Sequence, residues 1–205
     1  MTNHQFDFDL YQAPQGAKQI LLHSCCAPCS CAIIDRMLQS DLNPTVFYYN
    51  PNIHPLEEYE TRKEENKRYC DKKGVPFIDA DYDVDHWYMR VRGLENEPER
   101  GKRCAACFLM RMECTAAYAA RNHFSVFATS LGISRLKKQD QVYAAGHQAA
   151  TAHENLVFWD YNWRKQAGNE YGALIARQEA FYRQNYCGCF FSKQAMGIYS
   201  RSNIN

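Results

Sequence analysis

A chain of 205 residues, 46% hydrophobic and 23% charged, can bury one full core and is short for two. No apolar run reaches the ~20 residues that span a bilayer, which excludes a membrane-spanning helix. The net charge of +1 argues neither for nor against a nucleic-acid partner, so any anionic ligand must be met by local groups: Arg100, Lys102 and Arg103; Arg135, Lys137 and Lys138; Arg164 and Lys165.

Residues 1–16 read as an irregular lead-in. They carry acidic side chains and no basic-then-apolar leader, so a cytoplasmic, thiol-reducing location is expected. A single α/β domain is expected over 17–205. Residues 18–23 read as a short buried strand, and Pro28 suits the first turn of a helix over 28–39. The β-rich run PTVFYY (44–49) is a second strand, stopped by Asn50-Pro51. A long charged helix follows over 56–73 and ends at Gly74. Residues 75–79 are a third strand and 83–92 a short helix, followed by the polar loop GLENEPERGKR. A helix over 104–121 should carry Cys107, Met110, Cys114 and Ala117 on one face. FSVFAT (124–129) is a fourth strand, 138–153 a helix, 156–159 a fifth strand and 171–184 a last helix. The CGC segment closes the chain.

Strands alternating with helices predict a mostly parallel sheet with helices on both faces. In such folds the functional crevice lies beyond the carboxyl ends of the strands. Cys25 and Cys26, Asn50 and Asn52, Asp81 and Asp83, Thr129 and Ser130, and Asp160 all fall there, which predicts one composite site.

Ten cysteines in a reducing compartment point to metal or redox chemistry rather than a disulfide framework. They cluster as Cys25, Cys26, Cys29 and Cys31; Cys104 and Cys107; Cys187 and Cys189. Cys31, Cys70 and Cys114 read as small core thiols. The first cluster follows a strand where ATP-using tRNA-modifying enzymes carry Ser-Gly-Gly-x-Asp-Ser, the pyrophosphatase loop. Here Cys25 and Cys26 replace both glycines and Pro28 the aspartate, so a HUP-like fold is expected without ATP use. Cys25 and Cys26 with the C-x-x-C of Cys104 and Cys107 offer four soft ligands, suited to a tetrahedral zinc ion or an iron–sulfur cluster. Arg103 and Lys102 beside them should lower thiol pKa values. Cys187 and Cys189, one glycine apart, read as a labile redox dithiol or as two further metal ligands.

Six segments together, LLHSCCAPCS, FYYNPNIHPLEEYETR, DYD, EPERGKRCAACFLMRMECTA, FATSLGIS and YRQNYCGCFFS, resemble the QueH-type epoxyqueuosine reductases over residues 18–192. The resemblance implies a cobalamin-independent enzyme that reduces the epoxide of epoxyqueuosine at the tRNA wobble position, the last step of queuosine synthesis. It implies a [4Fe–4S] cluster on Cys25, Cys26, Cys104 and Cys107, and a redox-active disulfide between Cys187 and Cys189. It further implies an additional iron ion, with Cys29 and one of Asp81, Asp83 or Asp160 as candidate ligands or acid. DYNWRKQAG, with extra residues before Arg164, matches the family loosely.

The partners expected are a tRNA anticodon loop and an electron donor that the sequence does not identify. Unpaired loops are read by stacking and by phosphate contacts. Trp87, Tyr88, Trp159, Tyr161 and Trp163 are the candidate stacking groups, and Arg103, Lys137 and Arg164 the candidate tRNA contacts. The alternatives are a zinc-stabilised RNA-binding module and an ATP-dependent tRNA thiolation enzyme.

Overall fold

The computed structural model describes residue 6 and residues 8–197. Part of the expected lead-in, residues 1–5 and 7, lies outside that range; of the rest, 8–13 have no regular structure and Pro14–Gly16 form a 3-10 turn.

Five strands, β1 (Gln19–His23), β2 (Asn43–Tyr48), β3 (Phe77–Asp79), β4 (Val126–Thr129) and β5 (Val157–Phe158), form one sheet in the order β3-β2-β1-β4-β5, every pair parallel. The helices are α1 (Ala27–Gln39), α2 (Leu56–Lys73), α3 (Val84–Val91), α4 (Lys102–Arg121), α5 (Gln139–Ala150), α6 (Gly168–Gln178) and α7 (Phe190–Ala195).

The strands are apolar throughout because both sheet faces are covered. Ile20, Leu22, Val46, Val126 and Ala128 pack on one face with Ala32 and Met37 of α1, Tyr69 of α2 and Tyr171 and Ile175 of α6. Leu21, Phe47, Phe127 and Phe158 take the other, with Trp87 of α3, Met112 and Ala116 of α4 and Val142 and Ala145 of α5. Strand order reverses between β1 and β4, so the loops leaving these two strands diverge and open a crevice at their carboxyl ends. That crevice receives Cys25, Cys26 and Ser130.

Two chain segments differ from the sequence expectation. The last long helix ends at Gln178, six residues before the predicted 184. Ala180 turns left-handed (φ 52°), and the Phe181 amide bonds back to the Ala176 carbonyl at 3.0 Å, burying the Phe181 ring. This is a Schellman stop with alanine where glycine is usual. Beyond CGC the chain adds α7, whose first turn is capped by the Cys189 thiol accepting from the Ser192 amide at 3.3 Å. The predicted apolar face of α4 is also rotated: Cys114 and Ala117 are only half-buried, whereas Phe108, Arg111, Thr115 and Ala119 are buried.

Candidate metal centre

The turn after β1 is tied down from four directions. The Ser24 amide continues the sheet by bonding to the Phe47 carbonyl at 3.0 Å. Asn50, leaving β2, donates to the Ser24 carbonyl at 2.9 Å, and Asn66 of α2 donates to the Ser24 hydroxyl at 2.8 Å. Ser30 closes the first turn of α1 on the Cys26 carbonyl at 3.1 Å. All of these groups are buried, where an unmade hydrogen bond costs about 1–3 kcal/mol, so the turn has one well-defined shape. Cys26 is extended as the N-cap of α1, and Pro28 sits in its first turn as predicted.

This geometry gathers the sulfurs of Cys25, Cys26 and Cys29 within 4.8 Å of one another, with Cys25 and Cys26 3.8 Å apart. Two thiolates on one tetrahedral ion, each about 2.3 Å from it, stand at about that separation. Cys25 is held well below the usual thiol range by hydrogen bonds from Cys26 and Cys29, helped by Lys137 and Arg111. Cys26 is pushed up to about 12 and Cys29 well above the thiol range, chiefly because each donates to Cys25. The three titrate as one unit, and Cys25 is the first to lose its proton. Gln184 adds a donor to the Cys26 sulfur at 2.9 Å.

Cys104 and Cys107, from the first turns of α4, belong to the same apolar cluster as Cys25 and Cys26. Burial raises both thiols, Cys104 to about 11. Arg103 does lower Cys104 as expected, but burial outweighs it, and Lys102 acts on neither thiol. Lys102 is exposed, and Arg103 is 4% exposed, with its guanidinium spent on the carbonyls of Leu94, Glu95 and Glu97 and laid over Phe191. For the same reason Arg103 has no free face for a tRNA phosphate.

The cation that acts most on Cys107 is Arg111. It lies four residues after Cys107 and seven after Cys104, on one face of α4, a spacing that could have identified it from sequence. Arg111 is 1% exposed and donates to Asn50 Oδ1 at 2.5 Å; its Nε has no partner, and no carboxylate pairs with it among the described residues. Its charge falls instead on Cys107 and Cys25. A buried, unpaired guanidinium is costly unless its surroundings are anionic. An all-sulfur donor set facing that cation fits a thiolate-bound metal or iron–sulfur group.

Lys137 is the second cation. Burial alone would push it down, but the thiols of Cys187, Cys25, Cys29 and Cys26 outweigh that and hold its ammonium charged. Its loop is clamped by two arginines: Arg164 donates to the carbonyls of Ser134 (2.6 Å) and Lys137 (3.4 Å), and Arg100 to those of Leu136 (3.0 Å) and Arg135 (3.3 Å). Arg164 is thus committed to holding Lys137 in place. A cavity of about 180 Å³ is lined by Cys25, Cys29, Lys137 and Cys187. Beside it, one of about 200 Å³ is lined by Cys104, Phe108, Lys137 and Cys187.

Cys187 and Cys189 are free thiols, the first half-buried and the second buried. Arg62, 1% exposed and paired with Glu58, holds the segment by donating to the Cys187 and Tyr186 carbonyls at 3.1 and 3.4 Å.

Other candidates lie apart. No carboxylate joins the three clustered thiols among the described residues. Asp81 and Asp83 are exposed, and Asp83 caps α3 through the His86 amide. Asp160 is exposed and paired with His147 at 3.0 Å. Trp87, Trp159 and Trp163 are buried core residues, corrected from stacking groups; of that set only Tyr88 is exposed. His23 is also core: its ring bridges Thr129 Oγ1 (2.9 Å) and the Tyr49 carbonyl (3.1 Å), and burial pushes its pKa down to about 3.

Comparison with known proteins points to one family. Residues 20–195 match the family model described as epoxyqueuosine reductase QueH. The chain is 49% identical to the epoxyqueuosine reductase QueH of Histophilus somni over 202 residues, 98% of this chain and 83% of the relative. It is 50% identical to that of Haemophilus influenzae over 93% of this chain and 78% of the relative, and 51% identical to that of Acinetobacter baylyi over 87% and 82%. Clustered cysteines in the turn after β1, a second thiol pair on α4 and a match over nearly the whole chain lead to one conclusion: this protein belongs to the QueH family of epoxyqueuosine reductases.

Proposed function

We propose that this protein reduces the epoxide of epoxyqueuosine in tRNA to the alkene of queuosine. Two electrons and two protons enter, both epoxide C–O bonds break and the oxygen leaves as water. What supports the reading is the family match together with one observation: Cys187 and Lys137 line both the cavity of Cys25 and Cys29 and the cavity of Cys104.

In this reading Cys25, Cys26, Cys104 and Cys107 hold a [4Fe–4S] cluster, and Cys29 faces an additional iron. When bound, such a group supplies single electrons and a Lewis-acidic iron toward the epoxide oxygen. Cys187 and Cys189 supply a two-electron dithiol, returned to its reduced form by an external donor. Lys137, the cation at both cavities, stabilises negative charge on the oxygen as the C–O bond opens. The substrate nucleotide of the anticodon loop is turned out of its stack to reach the thiols. No helix of the described residues is long and apolar enough to cross a membrane, and the reading places the enzyme in the cytoplasm with its tRNA.

A second reading, a zinc site on Cys25, Cys26 and Cys29, is favoured only by the 3.8 Å spacing of the Cys25 and Cys26 sulfurs. Anaerobic purification separates the two. A brown protein with iron and sulfide that converts epoxyqueuosine tRNA supports the reductase; a colourless zinc protein without turnover overturns it. Cys187→Ser with Cys189→Ser should retain the colour and lose turnover.

A further inference from the structure

The two thiol-lined cavities continue into a third. The middle one shares Lys137 and Cys187 with the first, and shares Pro28, Cys29, Ser134 and Arg183 with a cavity of about 160 Å³ that ends at Arg135. Each alone is smaller than a typical ligand pocket of ~300–1,000 Å³, but the continuous groove falls within that range. At the Cys104 end Phe108 and Met196 stand with Glu99 and Arg100; toward the other end Arg183 and Arg135 are the cationic groups, beside Ile133 and Ala176.

Arg183 is exposed and makes no hydrogen bond or ion pair among the described residues. Its neighbours in the chain are both engaged. The Tyr182 amide donates to Glu65 at 2.8 Å and its hydroxyl to Glu58 at 3.0 Å, while Gln184 donates to the Cys26 sulfur at 2.9 Å. The nearby carboxylates are therefore occupied by Tyr182, and Glu58 also by Arg62. The backbone carrying Arg183 is fixed beside the reactive thiols, which lowers the entropy cost of using its guanidinium. Arg135 has only a loose pair with Glu170, 3.7 Å apart with both side chains more than half exposed, a contact worth little and readily exchanged.

From this placement we infer a phosphate subsite: Arg183, with Arg135, binds the phosphodiester adjoining the reacting nucleotide of an RNA substrate, while the modified base lies over the thiols. The inference rests on the tRNA reading above and names where along the groove the backbone runs. A guanidinium fork suits phosphate oxygens, and such contacts position a polynucleotide without reading its bases.

The test uses the anaerobically prepared full-length enzyme and a labelled, unmodified anticodon stem-loop, with binding followed by anisotropy across a salt series. Arg183→Gln should weaken binding about three- to tenfold at low salt and flatten the slope of log K against log salt by about 0.7, one single-strand phosphate contact. KM for epoxyqueuosine tRNA should rise by the same factor with kcat retained. Arg183→Lys should keep the slope, and Arg177→Gln, an exposed arginine of α6 outside the groove, should change nothing. Because Arg183 has no partner to lose among the described residues, the unfolding midpoint should be the same in both Arg183 variants. Failure of the wild type to bind, an unchanged affinity and slope in Arg183→Gln, or an equal loss in Arg177→Gln overturns the subsite. Wild-type enzyme that binds with an Arg183-dependent slope but leaves epoxyqueuosine tRNA unreduced keeps the subsite and overturns the reductase.

Discussion

A guanidinium sealed from water with no carboxylate to face is tolerated only where the surrounding sulfur is negatively charged. Arg111 is in that position beside Cys107 and Cys25. The neutral, similarly long Arg111→Met should therefore act differently on two forms of the protein. The metal-free form should change by about 1 kcal/mol or less, because relief of a buried charge that no carboxylate pairs offsets the lost bond to Asn50 Oδ1. The metal-loaded form should lose about 3 kcal/mol and retain less iron, because a buried charge pair is broken. Iron per chain and anaerobic thermal unfolding of both forms check this; a large loss in the metal-free form would contradict it. His54 offers a second residue-scale test. Its ring packs against Trp87 and Tyr88, both ring nitrogens are buried without partners, and burial lowers its pKa from 6.5 to about 4. The unfolded chain binds a proton there first. Stability should be complete above about pH 6.5 and fall toward pH 4, by at most about 3 kcal/mol from this group. His54→Phe should flatten that part of the urea-unfolding profile.

The ends of elements decide where the reactive groups come to rest. α6 stops at a left-handed alanine, and only because it stops there can residues 179–189 cross back to the thiols. Glycine is free of the Cβ penalty in that conformation, so Ala180→Gly should stabilise by about 0.5–1 kcal/mol, raising the unfolding midpoint by a few degrees. Gly188 shows the converse. Its φ of 117° is a glycine conformation, and an added Cβ would lie 3.0 Å from Arg62 Nη1 and from Ile53 Cγ1. Gly188→Ala should cost about 1–3 kcal/mol locally and displace Cys187 and Cys189 from the cavities. Turnover should fall while far-ultraviolet circular dichroism is retained.

At the scale of the whole molecule, the framework and the metal centre are separable. The apolar clusters on the two sheet faces draw on every helix from α1 to α6, whereas the thiols sit at the crevice where strand order reverses. Removing metal with a chelator under anaerobic conditions should leave the circular dichroism of the sheet and helices intact. Amide exchange should instead accelerate at residues 24–31 and 183–189, the segments tied to the sulfurs. A global loss of structure would show that metal binding and folding are one event.

The alternation of apolar strands and charged helices determined the fold by itself, because parallel strands buried on both faces leave a local pattern of their own. The stop of α2 was equally legible, since Gly74 stands in the left-handed position where glycine is expected. The stop of α6 was hidden because an alanine occupies the same conformation. The cysteine spacing announced thiol chemistry, and Cys25 with Cys26 was placed at a strand end from the chain alone. Only the tertiary structure decided which charges serve those thiols. Arg103 turns inward to three carbonyls, while Arg111, Lys137 and Arg62 reach Cys25 and Cys26 from elements distant in sequence from that turn. Long side chains choose among carbonyls, rings and sulfurs by what the completed packing brings within reach, and a one-dimensional pattern does not contain that choice.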